Sequence, residues 1–378
     1  MTARHHGDAD LLMVLNYYAP YVSGLTNVAR DIAEALVARS WRVRVVTTRH
    51  DPTLPATDVC NGVEVERAPV LATIGKGPVS PSFVRQAVAA TRRCAVVNLH
   101  LPMLEAGLIS RWSHASIVTT YHCDVSLPPG RLNDIQRRVI DSSSRSALNR
   151  SAAMVVTSND YAEHSRLWPQ LSRGAVAIPP PCHQREAGVA RYRDGDGFHI
   201  GFLGRIVEEK GIEYLVDAVR QIDDPQLRLL IAGEFSAVAG GSVIERVRNR
   251  IQGDSRIRLL GFLSEDELGD FYASLDAFAL PSVNPFEAFG IVQVEAMLCG
   301  VPVLASNLPG VRVPVLQTGF GVLAEIRDVT EIRRGLEELR DRPWDRADGI
   351  SQAQAAFSLA AVIDSYEAVL KAVVSGLR

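Results

Sequence analysis

The fold that this chain predicts is two α/β domains, each a parallel sheet with helices over both faces. Three observations lead there. At 378 residues the chain is longer than one domain of ordinary size. Short apolar runs alternate with helical stretches at the pitch of strand–helix–strand units, in two successive series. Between the series, Pro179-Pro-Pro-Cys182 and a charged, glycine-rich run to Gly197 break the alternation.

In the first series, Leu12–Leu15, Arg42–Thr48, Val63–Arg67, Ala95–Leu99, Ser116–Thr120, Ala153–Thr157 and Ala175–Ile178 read as strands. Val28–Ala38, Pro81–Arg92, Glu105–Arg111, Arg131–Arg150 and Ala162–Leu167 read as the helices between them. In the second, strands are expected at Phe198–Leu203, Leu227–Ala232, Arg256–Leu260, Ala277–Leu280, Val301–Ala305 and Gly321–Ala324. Helices are expected at Ile212–Gln221, Val243–Ile251, Glu265–Ser274, Ile291–Leu298, Val329–Leu339 and, as a tail, Gln352–Leu377. The expected division is residues 1–182, a linker 183–197, a second Rossmann-like domain 198–356, and a closing segment 357–378. Ligands of open α/β sheets bind beyond the C-terminal strand ends, so function is expected in the loops after strands.

Composition narrows the class. Apolar content of 47% with 22% charged residues is that of a soluble globular protein. A net charge of −3 gives no global nucleic-acid or membrane footprint. Apolar runs such as Leu11–Leu15 are strand-sized, and the opening Met-Thr-Ala-Arg-His-His lacks the apolar core of a signal peptide. The five cysteines are scattered and contain no C-x-x-C pair, which predicts free thiols, a cytoplasmic location and no zinc site. Of 40 basic residues only Lys76, Lys210 and Lys371 are lysine. In such an arginine-rich chain, a lysine within a motif marks a place where a guanidinium does not serve.

The most informative stretch is Asn284-Pro-Phe-Glu-Ala-Phe-Gly-Ile-Val-Gln-Val-Glu295, running on into Ala296-Met-Leu-Cys-Gly-Val-Pro-Val-Leu-Ala305. It sets Glu287 and Glu295 eight positions apart, with a turn and a helix start near Gly290 between them. A helix N-terminus is a cradle for a diphosphate, whereas carboxylates accept hydrogen bonds from sugar or ribose hydroxyls around it. A second motif, Phe202-Leu-Gly-Arg205-Ile-Val-Glu-Glu-Lys210-Gly, follows a strand and puts two cations before a helix. Converging on a diphosphate leaving group, Arg205 and Lys210 would do the work a metal does elsewhere. The alternative, a solvated cluster with Glu208 and Glu209, is disfavoured by the scarcity of lysine. Asp194-Gly-Asp196 imitates a metal-binding D-x-D pair but precedes a strand instead of following one, and reads as a turn. No G-x-G-x-x-G occurs, which weighs against a dinucleotide oxidoreductase.

The Glu287…Glu295 string resembles the E-x7-E element of retaining glycosyltransferases of family 4, and Gly204-Arg205…Lys210-Gly211 is similar to their G-R-x-x-x-x-K-G element. The resemblance spans nearly the whole chain and is most specific over 200–310. It implies the GT-B fold, two Rossmann-like domains with parallel sheets facing an interdomain cleft, and a closing helix that returns to the first domain. It also implies transfer of a sugar from a nucleotide diphosphate sugar to an acceptor hydroxyl with retention, without metal or other cofactor. On that basis Arg205, Lys210 and the amides near Phe289, Gly290, Ile291 and Val292 take the leaving phosphate. Glu287 contacts the sugar, Glu295 the ribose, and the Gly261-Phe262-Leu263 loop the base. Ile231-Ala-Gly233-Glu234 and the small-residue loop Ser236–Ser242 depart from the family's G-x-G at that place. Pro20-Tyr-Val-Ser-Gly24 looks like the family's glycine-rich first loop, with Ser23 where a glycine is usual. His122, in Thr120-Tyr-His122-Cys-Asp124, matches a strand-end histidine near the donor sugar, a catalytic and acceptor-side candidate that would either hydrogen-bond a sugar hydroxyl or help manage the acceptor's proton; Asp124 and His100 are further acceptor-side candidates.

Relatives that act on membrane lipids carry a basic amphipathic element where this chain has Arg131–Arg150. Here Leu132, Ile135, Val139, Ile140 and Leu148 are expected to face the core, so a solvated face is preferred to a membrane contact. The expected partners are therefore a nucleotide-sugar donor and a hydroxyl acceptor, with no nucleic acid. The oligomeric state is not readable. Two alternatives share the donor pocket: a nucleotide-sugar epimerase or hydrolase, and a non-catalytic sugar-nucleotide-binding subunit.

Overall fold

The computed structural model describes residues 8–74, 77–127, 129–234 and 242–376. Lys76 and residues 236–241 of the small-residue loop lie outside them. In chain order the elements begin β1 (Ala9–Val14), α1 (Gly24–Ala38), β2 (Val43–Arg49), β3 (Thr57–Cys60), β4 (Val63–Pro69), β5 (Ala72–Ile74), β6 (Gly77–Val79) and α2 (Pro81–Ala90). They continue β7 (Cys94–Leu101), α3 (Ala106–Trp112), β8 (Ser116–Tyr121), α4 (Arg131–Leu148), β9 (Ala153–Val156), α5 (Asn159–His164), α6 (Trp168–Leu171) and β10 (Ala175–Ala177). The second series runs β11 (His199–Leu203), α7 (Ile212–Arg220), β12 (Arg228–Ala232), α8 (Ile244–Ile251), β13 (Ile257–Gly261), α9 (Glu265–Ala273) and β14 (Ala277–Leu280). It closes with α10 (Ile291–Leu298), β15 (Val303–Ser306), α11 (Val313–Thr318), β16 (Gly321–Ala324), α12 (Val329–Asp341) and α13 (Arg346–Phe357), and the last helix is α14 (Leu359–Val374).

The chain divides into two compact units, one ending at Pro181 and resuming at Leu359, the other Cys182–Ser358. The first holds an eight-stranded sheet in the order β10-β9-β8-β7-β1-β2-β4-β3, parallel except for β3, which pairs antiparallel with β4. Its central strands, Leu11–Val14 and Val96–Leu101, are buried along their length, as a sheet covered on both faces requires. Strand order reverses between β1 and β7, so the loops after these two strands flank a crevice. The short strands β3, β5 and β6 are not apparent in the sequence, because edge strands of three or four residues carry no buried alternation to read.

Helix α14 belongs to this first unit. Val362, Ile363, Tyr366, Val369, Leu370 and Val373 form its buried face, and it packs on α1, β7 and β8. The expected single tail helix is instead two, α13 and α14, because Ser358 is extended and bridges to Cys182.

The second unit is a six-stranded parallel sheet, β13-β12-β11-β14-β15-β16, reversing order between β11 and β14. One face is filled by Phe271, Tyr272, Phe278, Phe289, Met297 and Phe357, the other by Phe202, Leu215, Val216, Leu229, Val247 and Leu336. Residues 183–197, read from the sequence as a linker, are part of this unit: Tyr192 packs edge-on against Phe271 at 6.4 Å, and Arg193 pairs with Asp276 at 2.9 Å. Asp194 is tied to Arg228 at 2.9 Å and to His199 at 3.2 Å, a structural role in keeping with a turn.

One expectation is overturned on α4. Leu132, Ile135 and Val139 do not face the core; they are 82%, 57% and 48% exposed, and only Ser144, Ala147 and Leu148 are buried on this helix. The cause is the tight crossing with α3, where the Gly107 N–H donates to Ser143 Oγ at 2.8 Å and draws the C-terminal half of α4 inward. Among the described residues no helix is long and apolar enough to cross a membrane.

Candidate active site

In the second unit the strand-order reversal puts the loop after β11 beside the loop after β14. The first loop carries Arg205 and ends in a 3₁₀ turn, Glu208–Lys210; the second runs from Pro281 to Gly290. The Val283 N–H donates to the Glu209 carbonyl at 2.9 Å and locks the loops together. Gly211 makes the approach possible: it is left-handed, and a Cβ there would sit 2.1 Å from the Pro281 carbonyl oxygen. Across this junction Lys210 Nζ forms an ion pair with Glu287 Oε2, and both side chains are largely buried. Arg205 is paired with Glu209 and is more exposed.

Helix α10 starts next to this pair. Gly290 opens it in a left-handed conformation, where a Cβ would meet Leu280 Cδ2 at 2.4 Å. Among the described residues no side chain caps its N-terminus, so the Ile291 and Val292 amides and the positive dipole end are available to an anion. Phe289 lies in the core, T-shaped against Phe357 at 5.5 Å, so only its backbone is available to a ligand. Ile291 and Val292 are partly buried at the helix start. Phe262 projects into solvent at 70% exposure, whereas Leu263 is buried in the core beside it.

Glu295 lies farther along α10 and is buried. Its Oε1 takes the Arg185 guanidinium at 2.7 Å and its Oε2 the Tyr272 hydroxyl at 3.1 Å. Burial lifts its pKa above the ordinary carboxylate range, against the pull of Arg185 and Tyr272. Arg185 also pairs with Glu265. Sequence reasoning missed both partners. Arg185 sits in the stretch taken for a linker, and Tyr272 sits near the end of α9 with nothing local to mark it.

In the first unit, His100 is the penultimate residue of β7 and His122 follows β8. Their rings lie nearly parallel, with His100 Nδ1 and His122 Nε2 2.9 Å apart. Burial holds both imidazoles neutral: His122 is driven down to about 4, and His100 falls well below its usual value, with His122 adding to the effect. Asp124, expected to meet an acceptor, is instead occupied internally. Its Oδ1 accepts from the Tyr121 and Ser165 hydroxyls, the latter at 2.7 Å, and its Oδ2 from the Arg166 N–H at 3.2 Å. A buried carboxylate so engaged is an anchor for the loop after β8.

Gly24 is the first residue of α1, and a Cβ there would meet nothing within 4 Å. The backbone therefore does not depend on glycine at this place. Ser23 caps the helix, its Oγ accepting from the Thr26 N–H at 3.2 Å. Asn16, just past β1, donates to the buried Glu105 at 3.1 Å and joins the two loops at the reversal of the first sheet. Its position directly after a strand was the one signal available for it.

Comparison with known proteins agrees with this architecture. Residues 190–356 match the family described as glycosyl transferases group 1, and residues 23–181 the glycosyl transferase 4-like domain. A D-inositol 3-phosphate glycosyltransferase of Corynebacterium efficiens is 30% identical over 226 residues, which are 57% of this chain and 52% of that protein. The chain spans about half the length of the curated relatives it matches. Sucrose-phosphate synthase from Thermosynechococcus elongatus superposes with a TM-score of 0.78 at 21% identity, over 97% of this chain and 100% of that one. Anabaena HepE, in a complex with UDP and glucose, does so with a TM-score of 0.71 at 17% identity, over 96% and 100%. At these identities the likeness is one of fold.

Proposed function

Because this chain belongs to the glycosyl transferases of group 1 and has their GT-B fold, we propose that it transfers a sugar from a nucleotide diphosphate sugar to an acceptor hydroxyl, with retention and without a metal. The ion pair of Lys210 with Glu287, set beside the uncapped start of α10 at the sheet's reversal point, is the observation that carries this. When donor binds, Lys210 and Arg205 neutralise its diphosphate, and the first amides of α10 take up the charge that grows on the leaving phosphate. Glu287, released from Lys210, accepts hydrogen bonds from the sugar hydroxyls.

Glu295 receives the ribose diol. Arg185 and Tyr272 occupy one lone pair on each of its oxygens and leave another for a hydroxyl. Arg185 keeps the carboxylate oriented, a role akin to a second layer of support behind a binding group. His122 is the first unit's candidate for a contact to a sugar hydroxyl. No carboxylate is proposed as a covalent nucleophile. Attack proceeds on the same face as departure, and the leaving phosphate accepts the acceptor's proton.

The test is nucleoside diphosphate release from a panel of sugar nucleotides, with and without hydroxyl acceptors. Uridine diphosphate sugars come first, because the HepE structure holds UDP and glucose. Acceptor-dependent release with the donor's anomeric configuration kept in the product supports the proposal. Release or isomerisation that ignores the acceptor would mean a hydrolase or epimerase. Binding without turnover across the panel would mean a sugar-nucleotide-binding subunit.

A further inference from the structure

We infer that His100 is a positioning residue: its Nδ1–H donates to His122 Nε2 and so fixes His122 as the tautomer that carries its proton on Nδ1. The assignment rests on the proposed sugar transfer only for its consequence, not for its geometry. Two neutral imidazoles sharing one hydrogen bond have two arrangements. Either His100 Nδ1–H donates to His122 Nε2, or His122 Nε2–H donates to His100 Nδ1. They differ in what happens at the far nitrogen of His100. That atom, Nε2, is fully buried and has no hydrogen-bond partner among the described residues. In the first arrangement it keeps only an unused lone pair. In the second it carries an N–H with no acceptor. Orphaned buried donors are rarer and costlier than under-used acceptors, so the first arrangement prevails.

The consequence falls on His122. Its Nε2 lone pair is spent on His100, and its Nδ1 is a donor with no hydrogen-bond partner among the described residues. His122 keeps 8% of its surface exposed against 1% for His100, so it is the ring with access to a ligand. A histidine held this way donates a hydrogen bond to a sugar hydroxyl and has no free basic nitrogen to take the acceptor's proton. Of the two tasks open to His122, contacting the sugar or managing the proton, only the first remains. The acceptor's proton is left to the leaving phosphate.

Two-bond proton–nitrogen correlation spectra of the full chain test this, with the His122 signals assigned by their loss in His122→Gln. The wild type is expected to show His122 protonated on Nδ1. His100→Leu removes the donor and is expected to return His122 to the Nε2–H form that free imidazoles favour. His100→Asn restores an N–H near the place of Nδ1 and is expected to bring the Nδ1–H form back. In parallel, kcat falls about tenfold or more in His100→Leu and recovers in His100→Asn, while nucleoside diphosphate affinity stays unchanged in both. An Nε2-protonated His122 in the wild type overturns the inference, as does a tautomer that His100→Leu leaves unaltered. Should His100→Leu not fold, the wild-type and His100→Asn spectra decide alone. A chain that turns over no sugar nucleotide would end the transfer proposal, and the spectra would still decide this one.

Discussion

Lys210 and Glu287, 77 residues apart in sequence, close an ion pair across the junction of two loops at the reversal point of the second sheet. Each thus neutralises the other's charge in a largely buried place.

Lys210→Ala is expected to lower kcat by about 10²-fold or more, by analogy with the loss of one preorganised donor to a developing anion. The second unit keeps its fold, because the Val283–Glu209 backbone bond and the Gly211 approach survive the change. Steady-state kinetics with circular dichroism as a control checks both halves. Near-normal turnover would remove Lys210 from the chemistry.

With two cations and a helix N-terminus to take the leaving phosphate, transfer is expected to persist in excess EDTA. The measurement is initial rate after chelation, then after adding back Mg²⁺ or Mn²⁺. Loss on chelation with recovery on addition would show that an ion carries the charge assigned here to Arg205 and Lys210.

The two glutamates should separate under calorimetry with bare nucleoside diphosphate. Glu287→Gln impairs transfer and leaves that binding nearly intact. Glu295→Gln weakens it by roughly 1.5–3 kcal/mol, the range for a hydrogen bond to a charged group. It also lowers the melting temperature, because Arg185 loses its buried partner and keeps only the exposed Glu265. The reverse pattern would exchange the sugar and ribose assignments.

A fourth prediction concerns pH. Glu367 on α14 takes Lys371 at 2.7 Å, the Trp41 indole N–H at 3.0 Å and Arg39 at 3.0 Å. These partners, Lys371 and Trp41 foremost, hold its pKa at about 2 against an ordinary 4.5. A depressed carboxylate stabilises the fold above the unfolded value and loses that contribution as pH falls toward the folded one. Stability should therefore decline between about pH 4.5 and pH 2. Glu367→Gln should lower stability near neutrality by roughly 1–2 kcal/mol and flatten this decline. Denaturant titrations at several pH values, wild type against variant, measure it; an equally steep decline in the variant would assign the effect elsewhere.

The second unit was legible almost element by element, since its strands are continuous apolar runs and its loops carry Gly211 and Gly290, both demanded by close or left-handed backbone. Less of the site could be read. Arg185 meets Glu295 across 110 residues, and no local pattern announces such a pair. Asp124 showed the right spacing after a strand, but spacing does not reveal that Tyr121, Ser165 and Arg166 consume its oxygens. On α4 the apolar positions were seen and their direction misjudged: periodicity finds a stripe, and only the neighbouring helix decides which stripe is covered.

The second unit enters and leaves at one spot. The Cys182 N–H donates to the Phe357 carbonyl at 3.2 Å, Cys182 bridges Ser358, and Gln184 meets Gln354 at 2.9 Å. Residues 182–358 are thus a cassette inserted into the first unit, with both ends already joined. During synthesis the inserted cassette emerges whole before the host is finished, for the host waits on α14. Trimming the chain at its far end would accordingly injure the unit begun first, whose last helix is α14.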